Sequence, residues 1–403
     1  MRSPTVLSNR DFRLFFVGNL ISSSGTWLQN VAQGVLVLQL TGRSFMVGLT
    51  QAATFVPVLL LALHGGRLAD RFDRRRLLIW TQLGAAAATA ILAALAGLHR
   101  AGVTAIVVVA VVLGVQYAVA VPATQALVPS LVEPENLGPA IGLTAVTYNL
   151  ARALGPLLAT VAVALLGFGL AFGLNSLSFM ALALAIAAIR PVGGGRRPEG
   201  GSIMEAVRHA WGDRRLRTLL AAVVAVSFAT DPVFTLSPAL AHLVFHRATS
   251  QAGLLVSAFG AGAIGSALVV TRLMRRPASS RTAVGLAAMA VMAGGLALMA
   301  VSPSFWLALV ALLVAGSGYL LTITGWTTGI QEAVPDVLRG RVMAIWTLCF
   351  LGSRPVAAVL DGALADALSP RWAAELMLVP AGAVGLLLLV RVRRDRRVAT
   401  RLP

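Results

Sequence analysis

The chain has 403 residues, 58% apolar and only 12% charged, against about a quarter charged in ordinary soluble domains. All 33 basic residues are arginine, and with 15 acidic residues they give a net charge of +18. Long apolar runs separate the arginines, which excludes a soluble enzyme or a nucleic-acid binder with one basic face. The single cysteine, Cys349, excludes an internal disulfide or a cysteine-held metal cluster.

A helix needs about 20 mostly apolar residues to cross the hydrocarbon core. Such runs fall at 14–38, 46–66, 77–98, 103–127, 139–165, 169–189, 217–240, 251–271, 283–301, 304–329, 341–364 and 372–390. The fold class is therefore an all-α integral membrane protein with twelve transmembrane helices and no room for a soluble domain. The first run is longer than a signal peptide's and no cleavage site follows it, so it reads as a retained span. With the N-terminus in the cytoplasm, alternate loops place 27 arginines inside and 4 outside (Arg43, Arg100, Arg247 and Arg371). Positive loops stay on the cytoplasmic side. The expectation is a cytoplasmic-membrane protein with both termini inside, its charge reflecting topology and attraction to anionic lipid headgroups.

A polar linker at 191–213 separates an N-terminal six-helix bundle, 1–190, from a C-terminal one, 214–392, followed by a basic tail, 393–403. An offset of about 201 residues sets Val132-Glu133-Pro134-Glu135-Asn136-Leu137 opposite Ala333-Val334-Pro335-Asp336-Val337-Leu338. The same offset sets Arg71, Arg74 and Arg75 opposite Arg272, Arg275 and Arg276. These matches lie in loops, where apolar composition creates no similarity, and they argue for duplication. Two such halves place a binding site at their interface near the midplane.

Between the second and third spans runs Gly65-Gly66-Arg67-Leu68-Ala69-Asp70-Arg71-Phe72-Asp73-Arg74-Arg75-Arg76. Gly66 permits close helix approach, and Asp70 can face the positive end of another helix, near Arg339-Gly340-Arg341 at the eleventh span. The segment resembles the signature cytoplasmic loop of the major facilitator superfamily, matched through Gly66, Asp70, Arg71, Arg74 and Arg75. That resemblance implies two pseudo-symmetric bundles and a latch of span two onto span eleven in the outward-open state. Thr271 replaces the second-half aspartate, so the latch is one-sided.

Further stretches are similar to one branch of that superfamily, the enterobactin-exporter and macrolide-efflux (transmembrane secretion effector) branch. They are Asn9-Arg10-Asp11-Phe12-Arg13-Leu14, Gly25-Thr26-Trp27-Leu28-Gln29, Tyr148-Asn149-Leu150-Ala151-Arg152-Ala153-Leu154-Gly155-Pro156 and Leu338-Arg339-Gly340-Arg341. The fourth span departs from classical drug–proton antiporters, reading Gly114-Val115-Gln116-Tyr117-Ala118 where they carry an arginine.

Ionisable residues inside spans face a cavity or a partner. Arg152, Asp231 and Arg354 each lie about 20 Å into a span at 1.5 Å per residue. The expected arrangement pairs Asp231 with Arg354 and turns Arg152 toward Gln29 or Asn30. Asp231 then either exchanges a proton as the halves rock or forms a fixed structural ion pair. Asp361, near the outer end of its span, is expected to be wetted. Gln29, Asn30, Gln33, Gln116, Tyr117, Asn149, Tyr319 and Trp326 are candidates for a polar-aromatic substrate cavity, helix–helix hydrogen bonding being the alternative for each. Gly260, Gly262, Gly265 and the pair Gly325 and Gly329 read as close-packing sites.

No metal-ligand spacing occurs among His64, His242 and His246, and without lysine there is no normal phosphate-binding loop, so no cofactor is expected. The reading is a non-enzymatic secondary transporter, most plainly a monomeric proton-coupled exporter of a small amphipathic compound such as a drug, macrolide or siderophore. Its partners are that substrate, protons or another coupling ion, and membrane lipids, with no nucleic acid. Import or lipid flipping, and a non-transporting sensor or scaffold, are the alternatives.

Overall fold

The computed structural model describes residues 6–190, 203–274 and 278–399, with side chains except at 62–71, 203, 268, 271–282, 336–337 and 391–399. Among the described residues every predicted span lies on helix and there is no strand. The N-terminal half comprises α1 (Arg10–Thr41), α2 (Ser44–Arg71), α3 (Arg74–Gly97), α4 (Val103–Leu127) and the run Leu137–Ala187, which Gly167 divides into α5 (137–166) and α6 (168–187). In the C-terminal half, α7 is Arg214–Thr235 continued by Ser237–Ala239 and Leu240–Val244. Then come α8 (Ala252–Met274), α9 (Ala278–Val301) and α10 (Phe305–Ala333). The last two spans are each in two pieces: α11 is Asp336–Leu351 and Arg354–Ala367, and α12 is Pro370–Leu376 and Val379–Ala399.

Local chemistry sets the ends. The Asn9 side chain accepts from the Asp11 and Phe12 amides at 2.9 and 3.2 Å, capping α1, and Gly42 at φ 65° ends it in the left-handed conformation. Asp213, at the corresponding point of the second half, caps α7 through the Arg215 and Leu216 amides. Gly167 at φ 75° and ψ 176° turns α5 directly into α6 with no loop, a conformation that a side chain would strain.

Three predicted spans are not continuous: α12, expected at 372–390, breaks at Met377 and Leu378, and α7 and α11 break beside prolines. Expected at 217–240, α7 breaks at Leu236 between Pro232 and Pro238; expected at 341–364, α11 breaks at Gly352 and Ser353 just before Pro355. Proline lacks the amide a helix interior uses and crowds the preceding turn. Arg354 therefore heads a new helix segment, and Asp231 lies about one turn before the break in α7.

The expected linker is partly helical: Ile203–Gly212 buries Ala206 and Ala210, and its Glu205 meets Arg341 of α11 at 3.0 Å. Linker residues 191–202 and tail residues 400–403 lie outside the described residues.

Tryptophans stand exposed at both ends of the bundle. Trp80 and Trp211 lie at the end carrying the 67–76 loop, and Trp306 and Trp372 at the other, as in an interfacial aromatic belt. At the loop end the N-terminal half has its own core of Phe12, Phe15, Leu78, Leu127 and Ile186. The larger core crosses between halves, joining Leu28, Val31 and Val35 to Val226, Val233 and Phe259. Glycine lets the halves touch backbone to backbone. A Cβ on Gly260 of α8 would lie 2.8 Å from the Ala153 Cα of α5, and one on Gly362 of α11 2.7 Å from the Phe45 Cα of α2. Gly262 packs as closely on Leu313, whereas Gly265, also expected at a contact, meets open space.

Candidate functional site

Between the halves lies a cavity of about 350 Å³, walled by α1 to α6 on one side and chiefly by α7 and α11 on the other. Its lining reaches Asn19, Thr124, Gln125 and Thr144, toward the loop end of the bundle. Of the expected cavity residues it includes Asn30, Gln33, Gln116 and Tyr117, and of the expected charges Asp231 and Arg354. It also includes Asn19, Gln51, Gln82, Gln125, Trp27, Phe55, Tyr148 and Phe234, which the sequence reading passed over. The signal for the four amides was present: a carboxamide inside an apolar span needs a polar neighbour.

Gln29, Asn149, Tyr319 and Trp326 are not on the cavity wall. Gln29 is fully buried in a network joining α1, α3 and α6, accepting from Asn175 Nδ2 at 2.5 Å and from the Thr89 hydroxyl at 3.3 Å. Trp326 packs onto Gly285 of α9. Asn149 and Tyr319 belong to the surroundings of Arg152. Asn149 Oδ1 accepts from Arg152 at 2.9 Å, and the guanidinium lies 4.8 Å from the Tyr319 ring centre, 5.7 Å from Phe259 and 5.9 Å from Tyr148. Arg152 thus turns away from Gln29 and Asn30, into an aromatic cage spanning α5, α8 and α10. Ring faces attract cations, so the cage supplies what the expected partners do not.

The expected Asp231–Arg354 ion pair is also absent, since no contact within 4.0 Å joins them among the described residues. Asp231 Oδ2 instead accepts the Thr235 hydroxyl at 2.8 Å. Arg354, the pseudo-equivalent of Arg152, has its own cage: Phe234 at 5.1 Å, Phe55 at 5.3 Å and Phe350 at 5.4 Å. The difference is that Arg354 lines the cavity. Asp361, expected to be wetted, is 0% exposed. Its span ends several residues later, and α2 and α7 cover it on the way.

At the end remote from the 67–76 loop, Asp366 on the last turn of α11 accepts from the Ser44 and Phe45 amides, the first of α2, at 2.7 and 3.3 Å. Arg43 approaches the same carboxylate at 3.4 Å, and Gln39 donates to the Thr249 hydroxyl at 2.6 Å across the halves. Sequence reasoning missed Asp366. Its signal was an acidic residue closing one span while another begins with unpaired amides.

At the loop end, Arg74 donates to the Ala126 carbonyl at 3.1 Å, and Arg75 donates to the Ile186 carbonyl at 3.0 Å and to that of Ala187. Both therefore staple the carbonyl ends of α4 and α6 within one half, where helix dipoles favour cations. Asp73 caps α3 through the Arg76 amide at 2.8 Å. Arg339 donates to the Gln331 carbonyl at 3.3 Å, while Arg341 holds the linker helix. The side chains of Asp70 and Arg71, and the packing at Gly66, lie outside what is described.

A family model described as transmembrane secretion effector matches residues 3–400. The enterobactin exporter EntS of Citrobacter koseri is 27% identical over 399 residues, covering 96% of this chain and 93% of that protein. The multidrug efflux pump Tap of Mycobacterium tuberculosis is 27% identical over 373 residues, covering 88% and 87%. Among solved structures, a bacterial homologue of the human lysosomal transporter Spinster, inward-facing and unoccupied, superposes with TM-score 0.74 at 14% identity, covering 97% of this chain and 96% of that one. At that identity the likeness speaks for the fold alone. The chain belongs to the transmembrane secretion effector family, multi-pass membrane transporters of the major facilitator fold rather than enzymes.

Proposed function

We propose that the chain is a monomeric exporter of the cytoplasmic membrane, with both termini cytoplasmic, that expels a small amphipathic organic compound by alternating access. The observation that carries this reading is a cavity between the halves that reaches toward the arginine-rich end while Asp366 and its neighbours seal the other. In a membrane obeying the positive-inside rule that open end is the cytoplasm, where an exporter collects its load. Amides and aromatic faces share the wall, suiting a solute with both polar and apolar parts. The exporter and efflux relatives point the same way, toward drugs, macrolides or siderophores. With no lysine for a nucleotide loop, an ion gradient drives the cycle. Asp231, an acidic group on the cavity wall, is the group that exchanges the proton.

The test is metabolite and dye accumulation in cells with and without the gene, followed by gradient-driven efflux from vesicles for the compound found. Expression lowers the internal level of that compound, and Asp231→Asn abolishes the effect. Unchanged accumulation of every compound, with the protein verified in the membrane, rejects export, and full gradient-driven efflux by Asp231→Asn removes the proton role.

One observation favours lipid movement as a second reading. An almost wholly apolar groove opens to the outside between α2, α4 and α11, lined by Leu60, Val111, Val115, Val356 and Leu360. Redistribution of labelled lipid between leaflets of vesicles, without loss of any soluble compound, identifies that activity.

A further inference from the structure

Behind the cavity wall lies a carboxyl group that the packing leaves without a donor. Asp361 stands two turns beyond Arg354 on α11, fully buried, and neither of its oxygens is hydrogen-bonded. Its neighbour is Asp231 of α7, which borders the cavity. Around Asp361 the helices are pressed together: Ala358, one turn earlier, and Gly362, next in the chain, meet Gly48 and Phe45 of α2 with no room for a Cβ. Asp361 is thus closed off on the α2 side, and its neighbour Asp231 is the carboxyl that borders the cavity.

An ionised carboxylate buried without a donor costs several kcal/mol. Two adjacent carboxylates out of water ionise together only at a cost, so at rest they share a proton and titrate as a unit. The other groups facing the pair are Arg354 on the cavity side and the Thr235 hydroxyl. Tyr117 and Tyr148 lie across the cavity, within reach of the Arg354 charge. One proton on the pair leaves a single negative charge that Arg354 balances, so the cluster is neutral. Arg354 also weighs against a metal ion, and two carboxyls with one hydroxyl fall short of the six or more oxygens a hard cation such as calcium collects.

We propose that Asp231 and Asp361 form one proton-binding site, the proton lying between α7 and α11 and exchanging with the cavity through Asp231. Release transfers that proton from the pair to a cavity water or a basic group of the substrate, and uptake is the reverse. No other group changes charge. The inference deepens the exporter reading and rests on it for the site's use in transport, though not for the site's existence.

Infrared difference spectra of the full-length protein in lipid, in H2O and D2O across pH, test the site without any substrate. The wild type shows a protonated-carboxyl band at neutral pH that moves in D2O. Asp361→Asn abolishes it, Asp231→Asn shifts its frequency and its titration, and Asp366→Asn leaves it unchanged. Thermal unfolding verifies that each variant is folded; should Asp361→Asn fail to fold, the shift in Asp231→Asn decides alone. Absence of the band from wild type, its persistence in Asp361→Asn, an unaltered band in Asp231→Asn, or a band that responds to sodium overturns the proposal. An intact, responsive band with no efflux of any compound overturns the exporter reading instead and leaves the site standing.

Discussion

The two ends of the α2–α11 crossing differ in what holds them. At the far end the last acidic residue of α11, Asp366, reaches the first amides of α2. At the arginine-rich end the last acidic residue of α2, Asp70, is the proposed partner for the start of α11, and there the cavity lies between the halves. Because the helices run antiparallel, each can present a carboxylate to the other's positive end. An N-terminal dipole and its unpaired amides favour a carboxylate by roughly 0.3–2 kcal/mol. A latch of that size biases an equilibrium without freezing it, which is what a cycling transporter requires.

The comparison breaks most completely at Gly48. A side chain there meets the Ala358 backbone carbonyl, and overpacking of this kind costs about 1–3 kcal/mol or more. Gly48→Leu therefore lowers the population closed at the far end about tenfold or more, read as longer spin-label distances across that end. Asp366→Ala removes two cap bonds and shifts the same distances about fivefold in population, equivalent to ~1 kcal/mol. Asp70→Asn acts with the opposite sign, favouring the far-end-closed form about two- to fivefold. Arg43→Ala gives the smallest change, under twofold. Its side chain is 65% exposed, exposed pairs contribute about 0.2–1 kcal/mol, and raised salt erases the difference.

Much of the architecture was legible because lipid imposes simple rules. Run length put every expected span on helix among the described residues, while the side of each loop and the duplication stand as expectations from the arginines and the loop matches. Asp231, Arg152 and Arg354 were conspicuous as charges at mid-membrane depth. Which way they turn was not readable. A soluble helix shows its inner face by periodicity, but a helix apolar toward both lipid and core shows none, so the rotation that brings Arg152 to Tyr319 rather than Gln29 leaves no trace in the sequence. Asp361 was misjudged because distance along a span was taken as distance to water, while α2 and α7 cover that part of α11. The break before Pro355 was available from proline chemistry; its effect, setting Arg354 at the head of a new helix segment, needed the fold.

The aromatic cages around Arg152 and Arg354 have an electrical consequence. A ring face holds a cation through its quadrupole and carries no net charge, so it steadies a guanidinium without neutralising it. Arg152, whose described contacts are Asn149 and three rings, is left as a positive centre deep in the bundle, whereas Arg354 has the Asp231 carboxyl facing it. Any electron-rich visitor gains from the field of that centre wherever it settles and in whatever pose.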